Sequence, residues 1–369
     1  MSAAPYFWET LFGAEPPASG QHPVQMKVLS KRGKPLLLLP DQSRLATQAL
    51  ELYPAQTARG RLARLGARWL LKARLPLGVH SVQVNLASRT PFVRWLAQLA
   101  QISQGQLPQF AMLAGNPNSP GQRLIILLFN SVDQPAVVVK AGLSEIARKL
   151  VGQEQQFLES VPRPAPSIPT LRGQFNNPQL QALALDFLPG RSPIAHDEPS
   201  LPKVLTAWLH PQQQVAFADT RIWRELVATC ASHPVFKTYA PKLQPQSCRE
   251  AICHGDFAPW NVRVSPQGNW LVLDWERGEI HGLPAWDWFH YVIQKSILVQ
   301  HHNAESVGAK VETLLASNEF KTYAQAGAVI GHAQALVLLY LLHHAEVIRP
   351  SEGLPVTNDL IQLLAAKWR

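Results

Sequence analysis

Apolar positions along the chain are grouped in three different ways. Near the start, PLLLLP (35–40) is a short unbroken apolar run. The stretch RGRLARLGARWLLKAR (59–74) that follows is helical in pattern. Arg61, Arg64, Arg68 and Lys72 recur at three- and four-residue steps, while Leu62, Leu65, Trp69 and Leu70 fall largely on another side. That spacing predicts a basic amphipathic helix. From about residue 91 the pattern changes: TPFVRWLAQLAQI reads as a helix, and FAMLAG (110–115), RLIILLF (123–129) and AVVVKAG (136–142) read as three strands. The segments between them, NPNSPGQ and NSVDQP, are built from turn formers. Helical spacing returns in LSEIARKLVGQEQQFLESV (143–161), with Ser144 placed to cap it. Beyond a proline-rich link, QALALDFLPG (181–190) reads as a strand closed by Pro-Gly.

After residue 190 the spacing is mostly helical, in KVLTAWLHPQQQ, TRIWRELVATCA, AWDWFHYVIQKSILVQHH, AESVGAKVETLLAS and 322–346. The exception is AICHGDFAPWNVRVSPQGNWLVLDWE (251–276), which reads as two short strands around SPQGNW. The expected fold is α+β, with a small antiparallel-sheet lobe over 101–190 and a mostly helical lobe over 191–369. A basic segment or module over 1–100 precedes them. No internal repeat is visible. The apolar AGAVIGHAQALVLLYLL (326–342) carries His332 and Gln334, is short for a membrane span, and suits a buried helix.

Charge sharpens this division. The chain has 369 residues, 46% hydrophobic and 16% charged, so it reads as globular. Its net charge of +9 is uneven: residues 1–100 hold 13 Lys/Arg and 4 Asp/Glu, and residues 101–369 hold 21 of each. A basic amphipathic helix such as 59–74 can lie on an anionic membrane surface or simply cover the body with its leucines. No motif points to nucleic acid. Cys230, Cys248 and Cys253 show no paired or metal spacing and read as reduced thiols of a cytoplasmic protein, one that could sit peripherally on a membrane. The opening MSAAPYFWETLFGAEPP lacks a basic head followed by an apolar run, so no secretory signal is expected.

The stretch 251–276 concentrates polar groups in an apolar hairpin: His254, Gly255, Asp256, Asn261 and Asp274. Phosphoryl transfer from a nucleotide needs a carboxylate near the attacking hydroxyl, and oxygen ligands for a Mg²⁺ that bridges the phosphates. Asp256 on a loop, Asn261 five residues on, and Asp274 at the end of the next strand could supply these. Asn261 could alternatively cap a turn. Glu276 reads equally as a substrate contact or a solvated strand end.

With these residues the sequence resembles the aminoglycoside phosphotransferase and choline kinase family, relatives of the protein kinases. The resemblance rests on CHGDFAPWN and LVLDWE, and it extends upstream. It implies a bilobal protein-kinase-like fold and an ATP- or GTP-dependent, Mg²⁺-dependent transfer to a small-molecule hydroxyl. By the family pattern, Asp256 orients or deprotonates that hydroxyl, and Asn261 and Asp274 hold the metal. Lys140 in AVVVKAG contacts the phosphates and Glu154 in GQEQQFL pairs with it. ALDFLPG, with Asp186 and Leu188, resembles the hinge whose backbone holds the nucleobase. GLPAWDW resembles a segment whose acid, Asp287, is mainly structural, and His254 is expected to be scaffolding. NPNSPGQ is not a glycine-rich GxGxxG, which departs from the protein-kinase pattern.

The acceptor expected from this reading is a sugar, polyol or amino alcohol. Trp260, Trp270, Trp275, Trp286 and Trp288 crowd the region, as core or as stacking faces. A polycationic acceptor should meet a strongly acidic pocket, and only Glu276, Glu279 and Asp287 cluster there. The competing reading is a non-catalytic, kinase-shaped nucleotide-binding or scaffold protein. A protein kinase is disfavoured by HGD in place of HRD and by LDWE in place of DFG.

Overall fold

The computed structural model describes residues 7–12, 21–31, 33–53, 58–73, 80–87, 90–103, 106–115, 121–348 and 356–368. It divides into two compact units. The first comprises Met1–Glu159 and Pro169–Leu188, the second Ser160–Ile168 and Pro189–Arg369. The loop NPNSPGQ falls largely outside the described residues.

The first unit is built on one sheet of eight strands: β1 (Gln21–Lys31), β2 (Lys34–Pro40), β3 (His80–Ala87), β4 (Phe110–Ala114), β5 (Arg123–Phe129), β6 (Pro135–Gly142), β7 (Leu171–Asn177) and β8 (Leu180–Asp186). Their order is β3-β1-β2-β4-β5-β6-β8-β7, and every pairing is antiparallel. Five helices accompany it: α1 (Phe7–Phe12), α2 (Ser43–Ala49), α3 (Ala58–Lys72), α4 (Pro91–Leu99) and α5 (Glu145–Ser160).

Here the structure corrects the expected division at residue 100. Strand β2 pairs with β4 through Leu37↔Leu113 and Leu38↔Met112, so the described part of the basic first hundred residues extends the sheet and belongs to the same unit. The sheet is therefore eight-stranded, where a small one was expected. Both of its faces are covered. Alternate residues of β5, Leu124, Ile126 and Leu128, join Trp8, Phe92 and Leu96 of α1 and α4 in one core. Their neighbours Leu127 and Phe129 join Leu45, Ala46, Ala49 and Leu71 of α2 and α3 in the other. A strand buried on both faces needs apolar residues at every position, which is why PLLLLP and RLIILLF do not alternate.

The second unit holds α6 (Leu201–Ala207), α7 (Arg221–Cys230), α8 (Pro234–Leu243), α9 (Trp286–Gln294), α10 (Ala304–Ala316), α11 (Asn318–Ala326), α12 (Ala333–His343) and α13 (Val356–Lys367). Strands β9 (Leu209–Ala216), β10 (Ser247–Cys253) and β13 (Glu279–Gly282) form a sheet in the order β13-β10-β9. Strands β11 (Val262–Val264) and β12 (Trp270–Val272) form the predicted hairpin, with Val262↔Val272 and Val264↔Trp270 in register. HPQQQ, expected to continue a helix, lies in β9, which pairs with β10 through Leu209↔Ala251 just before it and Gln214↔Arg249 at its end. The helix expected over 322–346 is two helices, broken where Ala328 turns left-handed (φ 60°). Among the described residues no single helix is long and apolar enough to cross a membrane. Helix α12 is buried from Ala335 to His343. The three cysteines are buried free thiols, and burial pushes Cys230 up to about 11 and Cys248 to about 12.

Candidate functional site

In the first unit, Lys140 and Glu154 are brought together. Helix α5 buries Ala147, Val151, Glu154, Phe157 and Leu158, a stripe at helical spacing in which Glu154 is the one charged member. Its start is fixed by Ser144, whose Oγ accepts the Ala147 N–H at 3.1 Å. On the sheet, β6 holds Lys140 between Ile125 of β5 and Leu183 of β8. The Lys140 Nζ lies 2.6 Å and 2.7 Å from the two Glu154 carboxylate oxygens. The side chains are 9% and 0% exposed. A carboxylate in an apolar stripe is tolerable because an ammonium engages both its oxygens. Asp186 and Leu188 are not part of this pair. The Asp186 side chain is exposed and takes Arg172 Nη1 at 2.5 Å, and Leu188 is 48% exposed.

In the second unit, the loop after β10 is held by Asp287, at the start of α9. Its Oδ2 accepts the His254 N–H at 2.6 Å and its Oδ1 the Gly255 N–H at 3.1 Å. Burial raises the Asp287 carboxyl above the ordinary range, against these two N–H donors. Gly255 is required: its φ is +77°, and a Cβ there would meet Arg277 Cβ and O at 2.9 Å.

His254 is fully buried and bridges two segments. Its Nδ1 accepts the Asp256 N–H at 3.2 Å, so Nε2 carries a proton and donates to the Leu273 carbonyl at 2.8 Å. Both ring nitrogens are thereby committed to backbone, the arrangement of a strut. The Leu273 peptide is clamped from its other side too, since its N–H donates to the Asn261 carbonyl at 2.7 Å. These two bonds fix where Asp274 begins. Asp274 itself is left-handed (φ 73°), a conformation that Asp tolerates better than most residues and that a clamped backbone can impose.

Asp256 is gripped on both carboxylate oxygens. Asn261 Nδ2 donates to its Oδ2 at 2.9 Å and to its main-chain carbonyl at 2.8 Å. His290 Nε2 donates to its Oδ1 at 3.0 Å. The His290 ring is oriented in turn by the Tyr340 hydroxyl, 2.9 Å from Nδ1. Burial pushes the Tyr340 phenol up, so the hydroxyl stays protonated beside the ring. Burial also works to raise the Asp256 carboxyl. The His290 hydrogen bond and the charges of His290 and Arg277 outweigh it and hold Asp256 below the ordinary carboxylate range. Its side chain stays 36% exposed, so the group is both held and reachable.

The donor set fits magnesium. Asn261 commits its amide nitrogen to Asp256, leaving Oδ1 as the atom it can offer a cation. Asp274 adds a half-buried carboxylate. Hard oxygens, few in number, suit an ion that keeps waters and takes its remaining ligands from phosphate.

His290 and Tyr340 were not singled out in the sequence. The signal for His290 was present: it follows Asp287 by three residues on a helix, the spacing of one face. Tyr340, His343 and His344 were the polar interruptions in an apolar helix, but their partners lie far off in sequence. Four of the five tryptophans near the hairpin are buried core (Trp270, Trp275, Trp286 and Trp288), and Trp260 is half-buried.

A family model described as APH, phosphotransferase enzyme family, matches residues 45–293. No curated protein matches the chain. Among solved structures, a candidate fructosamine-3-kinase from Haemophilus somnus 129PT is 14% identical, with 75% of this chain and 97% of that one covered and a TM-score of 0.43. A thermostable mutant of the aminoglycoside phosphotransferase APH(4)-Ia, solved with ADP and hygromycin B, is 11% identical over 75% of this chain and 98% of its own, at a TM-score of 0.46. The aminoglycoside phosphotransferase APH(3'')-Id from Streptomyces rimosus ATCC10970, solved with ADP and streptomycin, is 13% identical over 58% of this chain and 90% of its own, at a TM-score of 0.36.

Proposed function

The chain belongs to the phosphotransferase enzyme family, whose model spans residues 45–293, and from that premise we propose that it moves the terminal phosphate of ATP or GTP to a hydroxyl of a small molecule. The observation that carries this reading is the double grip on Asp256. Asn261 and His290 fix one carboxylate oxygen each, while the group stays 36% exposed. An ionised, oriented carboxylate of this kind can accept the proton of an alcohol as its oxygen attacks phosphorus. His290 orients Asp256, and Tyr340 orients His290. Asn261 Oδ1 and Asp274 would hold magnesium, which when bound offsets charge on the phosphates. Lys140, fixed by Glu154, is the candidate cation for the phosphates, and the Asp186–Leu188 backbone the candidate hinge for the base.

The acceptor proposed is a neutral polyhydroxy compound, a sugar or polyol, or an amino alcohol. The groups that act on Asp256 include His290, His254, Arg277 and Asn261, and these are neutral or cationic. Both oxygens of Asp256 are already partnered by Asn261 and His290, so it offers little spare negative charge to a polycation. Thermal unfolding with Mg²⁺ and ATP or GTP tests the nucleotide half of the reading. Nucleotide at 100 times its Kd should stabilise the wild type by about 2.7 kcal/mol. The shift should require the metal and vanish in Asp274→Ala. No shift in the wild type with either nucleotide sinks the reading and favours a scaffold.

A further inference from the structure

Helix α3 has two apolar sides. Leu71 is buried (3% exposed) in the core with Leu45, Ala46 and Leu50, and Ala67 packs against the same cluster. The opposite side is also apolar and faces outward: Leu62 is 68% exposed, Leu65 58% and Trp69 65%. These three are spaced by three and four residues, so they form a single stripe along the helix. A surface helix that has already buried an inward face has no folding reason to carry a second one.

The charge beside the stripe indicates what covers it. Arg64 and Arg68 both reach the Glu51 carboxylate, at 3.6 Å and 3.2 Å, so two cations share one anion. Lys72 is exposed at the end of the same helix. The helix lies in the hundred residues that carry 13 Lys/Arg against 4 Asp/Glu, the whole excess charge of the chain. An outward stripe of two leucines and a tryptophan, flanked by surplus cations, has the chemistry of a helix lying in a lipid headgroup layer. Tryptophan suits the boundary because its ring is apolar and its N–H polar.

We propose that α3 seats the protein on an anionic lipid surface, with Leu62, Leu65 and Trp69 entering the acyl boundary and Arg68 and Lys72 meeting the lipid phosphates. This docking is independent of the nucleotide chemistry and would place the enzyme beside a lipid-borne or surface-bound acceptor.

The test is co-sedimentation of the full chain with vesicles of phosphatidylcholine alone, or of phosphatidylcholine and phosphatidylglycerol in equal parts, at low and high salt. The wild type should sediment with the mixed vesicles, weakly with the neutral ones, and less as salt rises. Leu62→Ser/Leu65→Ser/Trp69→Ser should lower partition by at least about tenfold. Arg68→Gln/Lys72→Gln should lower it about fivefold per charge at low salt. All five substituted residues are on the surface, so the melting temperature should hold within about 2 °C. Trp69→Phe, which keeps the apolar stripe, should still sediment but lose the blue shift of tryptophan emission that vesicles induce in the wild type. The proposal is overturned if the wild type ignores the mixed vesicles or if the triple variant partitions like the wild type. It is also overturned if the stripe instead supports a concentration-dependent dimer that the triple variant abolishes, a second copy being then the occupant.

Discussion

Replacing Lys140 by Met removes the ammonium that meets both oxygens of a fully buried Glu154. Glu154 is the one charged residue in the buried stripe of α5, and the substitution removes the ammonium that engages both its oxygens. Leaving one half of a buried pair uncompensated costs about 3–5 kcal/mol. For a unit of this size that corresponds to a fall in melting temperature of about 10 °C. Replacing both groups together, as Lys140→Met/Glu154→Leu, removes the stranded charge and keeps the volume apolar, which is often close to neutral. The double variant should therefore be more stable than either single variant, with a coupling of at least about 2 kcal/mol in a urea-unfolding double-mutant cycle. Both singles and the double should lose nucleotide binding if Lys140 contacts phosphate. A Lys140→Met variant that melts within about 2 °C of wild type refutes the buried-pair reasoning. So does a double variant whose loss equals the sum of the singles.

Other consequences follow from the second unit. His290→Ala should lower kcat by about ten- to a hundredfold while leaving the nucleotide KM near wild type, because it unpins one oxygen of Asp256 and touches no phosphate ligand; His290→Gln, which can still donate to that oxygen, should recover part of the rate. Asp287→Asn presents an NH₂ to one of the backbone N–H groups of His254 and Gly255, and should cost about 1–3 kcal/mol by chemical unfolding, with a rate loss beyond that of surface controls. His343 tests pH dependence. Burial lowers its imidazole below the ordinary value of about 6.5, against the Glu225 hydrogen bond at 2.9 Å. The unfolded chain therefore binds the proton more readily, so the contribution of this group is present above about pH 6.5 and is lost as pH falls through its lower folded value. Melting curves from pH 7 to 5 should fall less steeply in His343→Gln than in wild type, and identical slopes would contradict the assignment.

What the sequence disclosed was set by how local the signal is. Strands β4 to β6 and helix α5 were readable because asparagine, proline and glycine turns separate short apolar runs, and Ser144 marks the helix start. The hairpin β11–β12 was readable for the same reason. The first hundred residues misled because a sheet covered on both faces gives no alternation, so β2 looked like an isolated apolar patch. β7, LRGQFNN, is a polar edge strand whose membership is decided by its pairing with β8, not by its composition. In the site, the five-residue step from Asp256 to Asn261 survives as a direct hydrogen bond, and Lys140 to Glu154 as an ion pair. The grip of His290 on Asp256 joins residues 34 apart and that of Tyr340 on His290 joins residues 50 apart. Contacts of that range leave no periodicity in the chain. The outward stripe of α3 was visible as amphipathicity, but which side faced the body was decided by Leu71 in the tertiary core.

Asp256 is proposed to serve a transfer of phosphate to a hydroxyl. The most direct measurement follows radiolabelled terminal phosphate from Mg²⁺-ATP and Mg²⁺-GTP into a library of sugars, polyols and amino alcohols, with release of inorganic phosphate read as transfer to water. Wild type and Asp256→Asn are compared at matched nucleotide saturation. Label should enter at least one alcohol with the wild type, and Asp256→Asn should lose at least about a hundredfold with nucleotide binding intact. Transfer that persists at the wild-type rate in Asp256→Asn would contradict it, as would a wild type that binds nucleotide but labels neither alcohol nor water.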